Sequence, residues 1–197
     1  MRVYLDHNAT SPLRPAVRAA MQAAMDVHGN ASSIHAEGRA ARKLVDDARE
    51  QLALALGCLP QMMVFTSGGT EANALAIGGV DAEHILVSAV EHPSVLAAAQ
   101  ATGRAEIIPV DGFGRVDVAA LKAMLGRPNT LVSIMLANNE TGVVQPMAEI
   151  AAAVHGAGAL LHVDAVQGFG KRQVNFGLLG CDMMTVSAHK IGGPIGA

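Results

Sequence analysis

Residues able to do acid–base or nucleophilic chemistry recur in this sequence at one kind of place, just after short apolar runs. Ser67-Gly68-Gly69-Thr70-Glu71-Ala72-Asn73 follows the run ending at Thr66, and Glu91-His92-Pro93-Ser94 follows the run ending at Ser88. Asn138-Asn139-Glu140-Thr141-Gly142 comes after Leu136, Asp164-Ala165-Val166-Gln167 after Val163, and Ser187-Ala188-His189-Lys190 after Val186. The turn from Ser67 to Thr70 leaves backbone N–H groups free at a helix start, an interaction worth about 0.3 to 2 kcal/mol to an anion. It suits a phosphate, and equally a plain tight turn; no Gly-Lys-Ser or Gly-Lys-Thr follows, so it is not a P-loop. Asp164 ends the apolar run Leu160-Leu161-His162-Val163, where an ionised carboxylate needs a cationic partner or several donors. A protonated pyridine nitrogen would be such a partner, and the next turn of chain would be such a set of donors. Lys190 also follows an apolar run with few carboxylates nearby, where a partly desolvated amine loses proton affinity and becomes a nucleophile, the alternative being a solvated surface lysine. His92 and His189 suit ring stacking, acid–base work or phosphate contact. His28, His84 and His155 read as helix-end or surface residues, and His162, alternating with Val163, as a buried structural histidine.

The elements that must position these groups alternate along the chain. Strands are expected at Met62–Thr66, His84–Ser88, Ala105–Val110, Thr130–Leu136, Ala159–Val163 and Asp182–Val186. Helices are expected from about Arg14 to Val27 with Pro15 in a first-turn position, from about Ala36 to Leu56 closed by Gly57, and beginning near Thr70, Ser94, Val118 and Met147. Asp117 is placed to cap Val118–Leu125, and Gly126 with Pro128 stops it. Asp111-Gly112-Phe113-Gly114-Arg115 reads as a turn, and no repeat, low-complexity tract or interdomain linker is visible. Strands separated by helices require a mostly parallel sheet with helices on both faces. In such a sheet ligands bind beyond the carboxyl ends of the strands, which is where the polar groups fall.

Composition narrows the function classes. In 197 residues, 51% are hydrophobic and 16% charged, so the chain buries a large core and is not disordered. A formal net charge of -3 argues against a nucleic-acid binder. Aromatics are only 3%, so Ala, Val, Leu, Ile and Met must fill the core. No apolar run is long enough for a membrane span, and Met1-Arg2-Val3-Tyr4-Leu5-Asp6 lacks the stretch of a signal peptide, so a soluble, cytoplasmic protein is expected. Two cysteines, Cys58 and Cys181, cannot make a disulfide framework, and no CxxC or HExxH spacing supports a metal site. Gly168-Phe169-Gly170 lacks the third glycine of a dinucleotide loop, its place being taken by Gln173, which excludes a nicotinamide reading.

A cofactor with a phosphate, a flat ring, a basic ring nitrogen and an aldehyde would use all the strand-end groups together, and pyridoxal phosphate is that cofactor. The runs Tyr4-Leu5-Asp6-His7-Asn8-Ala9-Thr10, Gly29-Asn30-Ala31-Ser32-Ser33, Phe65–Asn73, Glu91-His92, Asn138–Gly142, His162–Gln167 and Ser187–Lys190 resemble, in order and spacing, cysteine desulfurases of the class V aminotransferase superfamily. Phe65-Thr66-Ser67-Gly68-Gly69-Thr70-Glu71 is similar to the housekeeping and nitrogen-fixation, NifS/IscS-like branch. The resemblance implies the large domain of a fold-type I pyridoxal-phosphate transferase. It implies that Lys190 carries the cofactor covalently and moves a proton, and that Asp164 pairs with the ring nitrogen. His92 would stack on the ring and serve acid–base steps, Gln167 would contact the phenolic oxygen, and Asn139 would lie by that oxygen or the substrate carboxylate. Gly69, Thr70, Ser187 and His189 would hold the phosphate, and Asn30 would lie at the substrate end. The implied reaction converts L-cysteine to L-alanine with sulfur passed as an enzyme persulfide to an iron–sulfur scaffold or another acceptor, in a homodimer, with no nucleic-acid or membrane partner.

This sequence departs from the family pattern in small ways: His7-Asn8 stands in the opening motif, Ala31 where a proline is usual, and Ile195 where a basic residue is common. The large departure is length. The resemblance implies about twice this many residues, so residues 1–197 correspond to the N-terminal segment and large domain, ending soon after Lys190, without the small C-terminal domain. The persulfide cysteine and a carboxylate-binding arginine would then lie elsewhere, and Cys58 and Cys181 are expected to be structural thiols. The family's next strand, antiparallel, lies inside the sheet, so its absence would leave two strands without a shared neighbour and expose their edges. Such a chain would be poorly soluble, aggregated or domain-swapped. A selenocysteine lyase, an aminotransferase or a non-catalytic cofactor-binding fragment remain as alternative readings.

Overall fold

A computed structural model describes residues 3–197; Met1 and Arg2, which open the N-terminal segment, lie outside the described residues. The strands are β1 (His84–Ser88), β2 (Ala105–Ile108), β3 (Thr130–Met135), β4 (Leu160–Asp164) and β5 (Met183–Thr185). They form one sheet in the order β2-β1-β3-β4-β5, with every neighbouring pair parallel. The helices are α1 (Pro15–Met25), α2 (Ala36–Leu56), α3 (Gly69–Gly78), α4 (Pro93–Ala101), α5 (Val118–Met124), α6 (Met147–Gly156) and α7 (Phe176–Leu179).

The chain moves from β1 outward to β2, then back across to β3 and on to β4 and β5. Right-handed crossovers in opposite directions must use opposite faces of the sheet, and the core divides accordingly. On one face Leu86, Val132, Ile134, Leu161 and Val163 pack with Leu121 of α5 and with Ile150 and Val154 of α6. On the other, Ile85, Val87 and Leu131 pack with Ile77 of α3 and with Val95 and Ala99 of α4. Each fully buried aliphatic side chain contributes about 1.5 to 3 kcal/mol, and alternation along β1 and β3 feeds both faces. The expected parallel sheet between two helical layers is borne out.

Local signals worked where they have a direct partner. Gly57 ends α2 in the left-handed region (φ 69°), and its N–H reaches the carbonyls of Ala53 and Leu54. The Asp117 carboxylate accepts from the N–H groups of Ala119 and Ala120 at 2.9 and 3.0 Å, starting α5. Asp111 Oδ1 accepts from the N–H groups of Phe113 and Arg115, which closes the expected turn.

The expected strand Met62–Thr66 does not form. Pro60–Met62 is a 3-10 helix, and Met63 beyond it is extended (φ -84°, ψ 130°) but carries no ladder bonds. A strand exists only by pairing, and β5, the outermost strand, pairs with β4 alone. Instead, a slot of about 770 Å³ is lined jointly by Met63, Val64 and Phe65 and by Met183, Met184 and Val186. Arg49 anchors the unpaired segment, donating to the Met63 carbonyl and lying 5.0 Å from the centre of the Phe65 ring. The short helix α7, which sequence period does not reveal, is started by Asn175, whose side chain accepts from the Leu178 N–H at 2.9 Å.

Candidate active site

A cavity of about 460 Å³ opens at the carboxyl ends of the strands. It lies by the point where strand order reverses, between β1 and β3, as expected for an open parallel sheet. Gly69, Thr70, His92, Asn139, Asp164, Gln167, Ser187, His189 and Lys190 all line it, so the structure brings every sequence-derived candidate except Asn30 to one place. Asn30 is occupied in a local turn, its Oδ1 accepting from the Ser32 N–H and its carbonyl from the Ser33 N–H.

Asp164 is the last residue of β4 and is 5% exposed. Its Oδ1 accepts from the Val166 N–H at 3.0 Å and its Oδ2 from Asn73 Nδ2 at 2.9 Å. Local donors orient this carboxylate, and it borders the cavity. Behind it lies a buried polar layer, in which His162 is held between Ser133 Oγ at 2.8 Å and Thr185 Oγ1 at 3.0 Å. Burial pushes the His162 imidazole well below its usual proton affinity, against the opposing pull of Asp164, consistent with a neutral structural histidine.

Lys190 lies in the 3-10 turn Ala188–Ile191 and donates from Nζ to the carbonyls of Asn8 and Ala9 at 2.6 and 2.8 Å. Partial burial lowers its proton affinity, while Asp164 and Asp6 pull it back up. The lysine is thus partly desolvated, as its sequence setting suggests. His189 is lowered as well, by burial and then by the neighbouring Lys190 charge, and its Nδ1 sits 3.1 Å from Thr10 Oγ1.

The N-terminal segment forms one wall, a feature for which sequence reasoning assigned no role. Ser11 N–H donates to the His189 carbonyl at 2.9 Å, Ser11 Oγ to the Lys190 carbonyl at 3.0 Å, and Arg14 N–H to the Gly192 carbonyl at 3.0 Å. Asn8 is central: its carbonyl accepts from Lys190 and from Gln167 Nε2, and its Nδ2 donates to the Asn139 carbonyl at 3.2 Å. Lys171 completes this corner by donating to Asn8 Oδ1 at 2.8 Å and to Gln167 Oε1; burial and then Lys190 lower its proton affinity.

At the start of α3, Gly68 adopts φ 146° and ψ 175°, a conformation that a residue with a Cβ rarely tolerates, and no side chain caps the helix. Glu71 turns back to accept from the backbone N–H and hydroxyl of Ser67, both at 2.6 Å, which lowers its carboxyl proton affinity. A Cβ added at Gly69 would meet Val166 Cγ2 at 3.3 Å and Ser187 Cβ at 3.6 Å, so glycine keeps this wall of the cavity clear.

Two groups from the strand-end runs, neither assigned an individual role from the sequence, belong to this region: Asn73 lines the cavity and Glu91 is buried beside it. Glu91 is 5% exposed; its Oε1 accepts from Ser88 Oγ at 2.5 Å and from the Met135 N–H at 2.7 Å, while Oε2 is buried without a partner among the described residues. Burial pushes this carboxyl up to about 8, despite those two bonds, with Asp164 adding to the rise. Asn73 is 1% exposed and joins Asp164 to Ser94. Neither cysteine lines the cavity. Burial raises the Cys58 thiol and pushes Cys181 up to about 12, the behaviour of structural thiols. Among the described residues no three His, Cys, Asp or Glu side chains are grouped to hold a metal ion, and no helix is long and apolar enough to cross a membrane.

Fold and cavity together define an open parallel α/β domain with a polar cavity at its topological switch point. The family profile described as Aminotransferase class-V matches residues 3–197, and the chain belongs to that family. It is 40% identical to an IscS-like cysteine desulfurase of Mycobacterium tuberculosis over 98% of this chain and 53% of that protein. It is 44% identical to a cysteine desulfurase of Cereibacter sphaeroides over 99% of this chain and 54% of that protein. Among solved structures, a NifS-like protein from Rickettsia africae superposes with a TM-score of 0.94 at 40% identity, covering 100% of this chain and 56% of that one. The protein SspA, solved in complex with cysteine, superposes with a TM-score of 0.92 at 31% identity, covering 99% and 59%. The chain thus spans about half the length of the curated relatives it matches. The resemblance to NifS/IscS-like cysteine desulfurases seen in the motifs is borne out by these relatives.

Proposed function

We propose that this chain carries the pyridoxal-phosphate site of a cysteine desulfurase, and that the whole protein converts L-cysteine to L-alanine. The sulfur atom would pass to an enzyme thiol, R–SH becoming R–S–SH, so that no external oxidant or reductant is required. The observation that carries this reading is the convergence on one cavity of an amine (Lys190), a buried carboxylate (Asp164), an imidazole (His92) and an uncapped helix start beside Ser187 and His189.

The donor set fits the cofactor. Asp164 offers a buried negative charge to a ring nitrogen, and the N–H groups at Gly69 and Thr70, with Ser187 and His189, offer donors to a phosphate. When bound, pyridoxal phosphate supplies an electron sink next to the amino acid's α-carbon. The chain's own residues would do the rest. Lys190 would hold the cofactor by its amine and carry a proton at Nζ, its partial burial increasing the share of free base available. His92 would cover the ring and exchange a proton, while Gln167 and Asn139 would orient the ring oxygen and the substrate carboxylate. Supporting the choice of substrate are the relatives named cysteine desulfurases and a structural neighbour solved with cysteine.

The persulfide cysteine, the arginine for the substrate carboxylate and the small domain would belong to sequence beyond these residues, and the working protein would be a homodimer serving an iron–sulfur scaffold or another sulfur acceptor. The test is borohydride reduction of the full-length protein with pyridoxal phosphate, followed by peptide mapping. The label is expected on Lys190; label on another lysine, or none, overturns the reading.

A further inference from the structure

We propose that Asn73 and Ser94 are positioning residues that tie the Asp164 carboxylate to the His92 imidazole and hold that imidazole with its proton on Nε2. The inference rests on the pyridoxal phosphate reading of the cavity, in which Asp164 and His92 would be the groups that meet the ring. They come from different strand ends, after β4 and after β1, and the two intervening side chains join them.

The direction of each bond follows from what each atom can donate. Asn73 Nδ2 lies 2.9 Å from Asp164 Oδ2 and 3.0 Å from Ser94 Oγ. An amide nitrogen carries two hydrogens and accepts nothing, while an ionised carboxylate only accepts. Flipping the amide would set its oxygen against the carboxylate, so the nitrogen faces Asp164. One hydrogen goes to Asp164 and the other to Ser94 Oγ. The serine hydroxyl, which accepts from Asn73 on one lone pair, has its own hydrogen free to give to His92 Nδ1, 2.7 Å away. The Ser94 backbone N–H, which can only donate, also points at Nδ1 from 3.1 Å. Two donors converge on Nδ1, so that atom holds a lone pair and the neutral ring bears its hydrogen on Nε2.

Asn73 Oδ1 is buried with no partner among the described residues. An amide that leaves its acceptor unpaired while placing both hydrogens is one whose orientation is imposed by its two targets. The consequence for His92 is specific. Any proton it gives as a neutral ring leaves from Nε2, and protonating the ring requires a hydrogen on Nδ1 where two donors already point. The ring cannot turn over without losing both bonds, so its face is fixed relative to Asp164.

The test is a long-range proton–nitrogen spectrum of full-length protein, labelled with nitrogen-15 histidine and prepared without cofactor, with the His92 signals assigned from a His92→Gln sample. Because no cofactor is present, the result is separate from whether pyridoxal phosphate binds. Wild-type His92 is expected to show a bare Nδ1 and a protonated Nε2. Ser94→Ala should raise the Nδ1–H population about fivefold, the usual worth of one hydrogen bond, and Ser94→Thr, which keeps the hydroxyl, should restore the wild-type spectrum. Asn73→Ala should raise it by a smaller factor, about twofold, because the serine keeps its hydroxyl but loses the donor that aims it. A wild-type hydrogen on Nδ1, or a Ser94→Ala spectrum identical to wild type, overturns the proposal.

Discussion

The Glu91→Gln substitution should remove a pH dependence of stability that the wild-type protein shows above neutrality. Glu91 is buried beneath the loop that carries His92, and burial raises its carboxyl from 4.5 to about 8. The folded state therefore keeps a proton that the unfolded chain releases from about pH 4.5 upward. Stability then falls with rising pH, by about 1.4 kcal/mol per unit, until the folded carboxyl itself ionises. Two histidines act in the opposite sense: buried His162 and half-buried His189 are lowered by desolvation, so their contribution is present above the unfolded value and lost as pH falls through 6.5. Lys171 and Lys190 are lowered from 10.5 and change only as pH approaches the lysine range. Between about pH 7 and 8, where a histidine is already largely neutral in the unfolded chain, Glu91 dominates, and the wild type should lose about 1 kcal/mol across that window. Glutamine keeps the acceptor used by Ser88 Oγ and the Met135 N–H but cannot ionise. Its stability should be about 1 to 3 kcal/mol below wild type at about pH 7, from the unpaired amide hydrogens, and nearly flat from there to pH 8. Urea denaturation of the full-length protein without cofactor, followed by circular dichroism at three pH values, measures both slopes. A carbon-13 titration of the Glu91 carboxyl measures its midpoint directly. Parallel slopes for the two proteins, or a midpoint below about 6, would refute the reasoning.

Other substitutions test other links. Asp164→Asn should weaken pyridoxal phosphate binding by about ten- to a hundredfold, the range of one charge-assisted hydrogen bond, measured by equilibrium dialysis. Asp117→Ala should cost about 1 kcal/mol in urea denaturation, since that carboxylate accepts from two N–H groups at the start of α5. Cys181, pushed up to about 12 by burial, should resist iodoacetamide at pH 8 in the native protein and react after unfolding, as mass spectrometry of the modified peptides would show.

The sequence was most informative where a residue acts on its immediate neighbours. Gly57 and Asp117 mark a helix end and a helix start by geometry confined to a few residues. The alternation of β1 and β3 with helices implied parallel strands, and with them the end of the sheet where the cavity must lie. Seven of the nine candidate residues reach that cavity because each ends a strand or lies a few residues after one, while Gly69 and Thr70 reach it from the start of α3. Met62–Thr66 failed for the complementary reason, since its β-like composition says nothing about whether a neighbour is available. Asn30 failed because its side chain could equally close its own turn. Glu91 looks like any acid beside a histidine, and only its burial under β3 reveals a carboxyl that keeps its proton. Asn73 and Ser94 lie 21 positions apart, so their bond cannot be seen before the fold is known.

The wall made by Asn8, Ala9, Thr10 and Ser11 against His189 and Lys190 joins stretches separated by nearly the whole chain. During synthesis, the first of these segments leaves the ribosome long before the second exists, and it has no closing partner until then. The cavity thus cannot be assembled before Lys190 has been made, after the five strands β1 to β5 have already emerged. A ligand that binds only the finished cavity shifts the folding equilibrium by mass action at this final closure, and it has no purchase on earlier, partly ordered states. Occupancy of the pocket would then report chains extended at least as far as Lys190, which a measure of secondary structure could not provide.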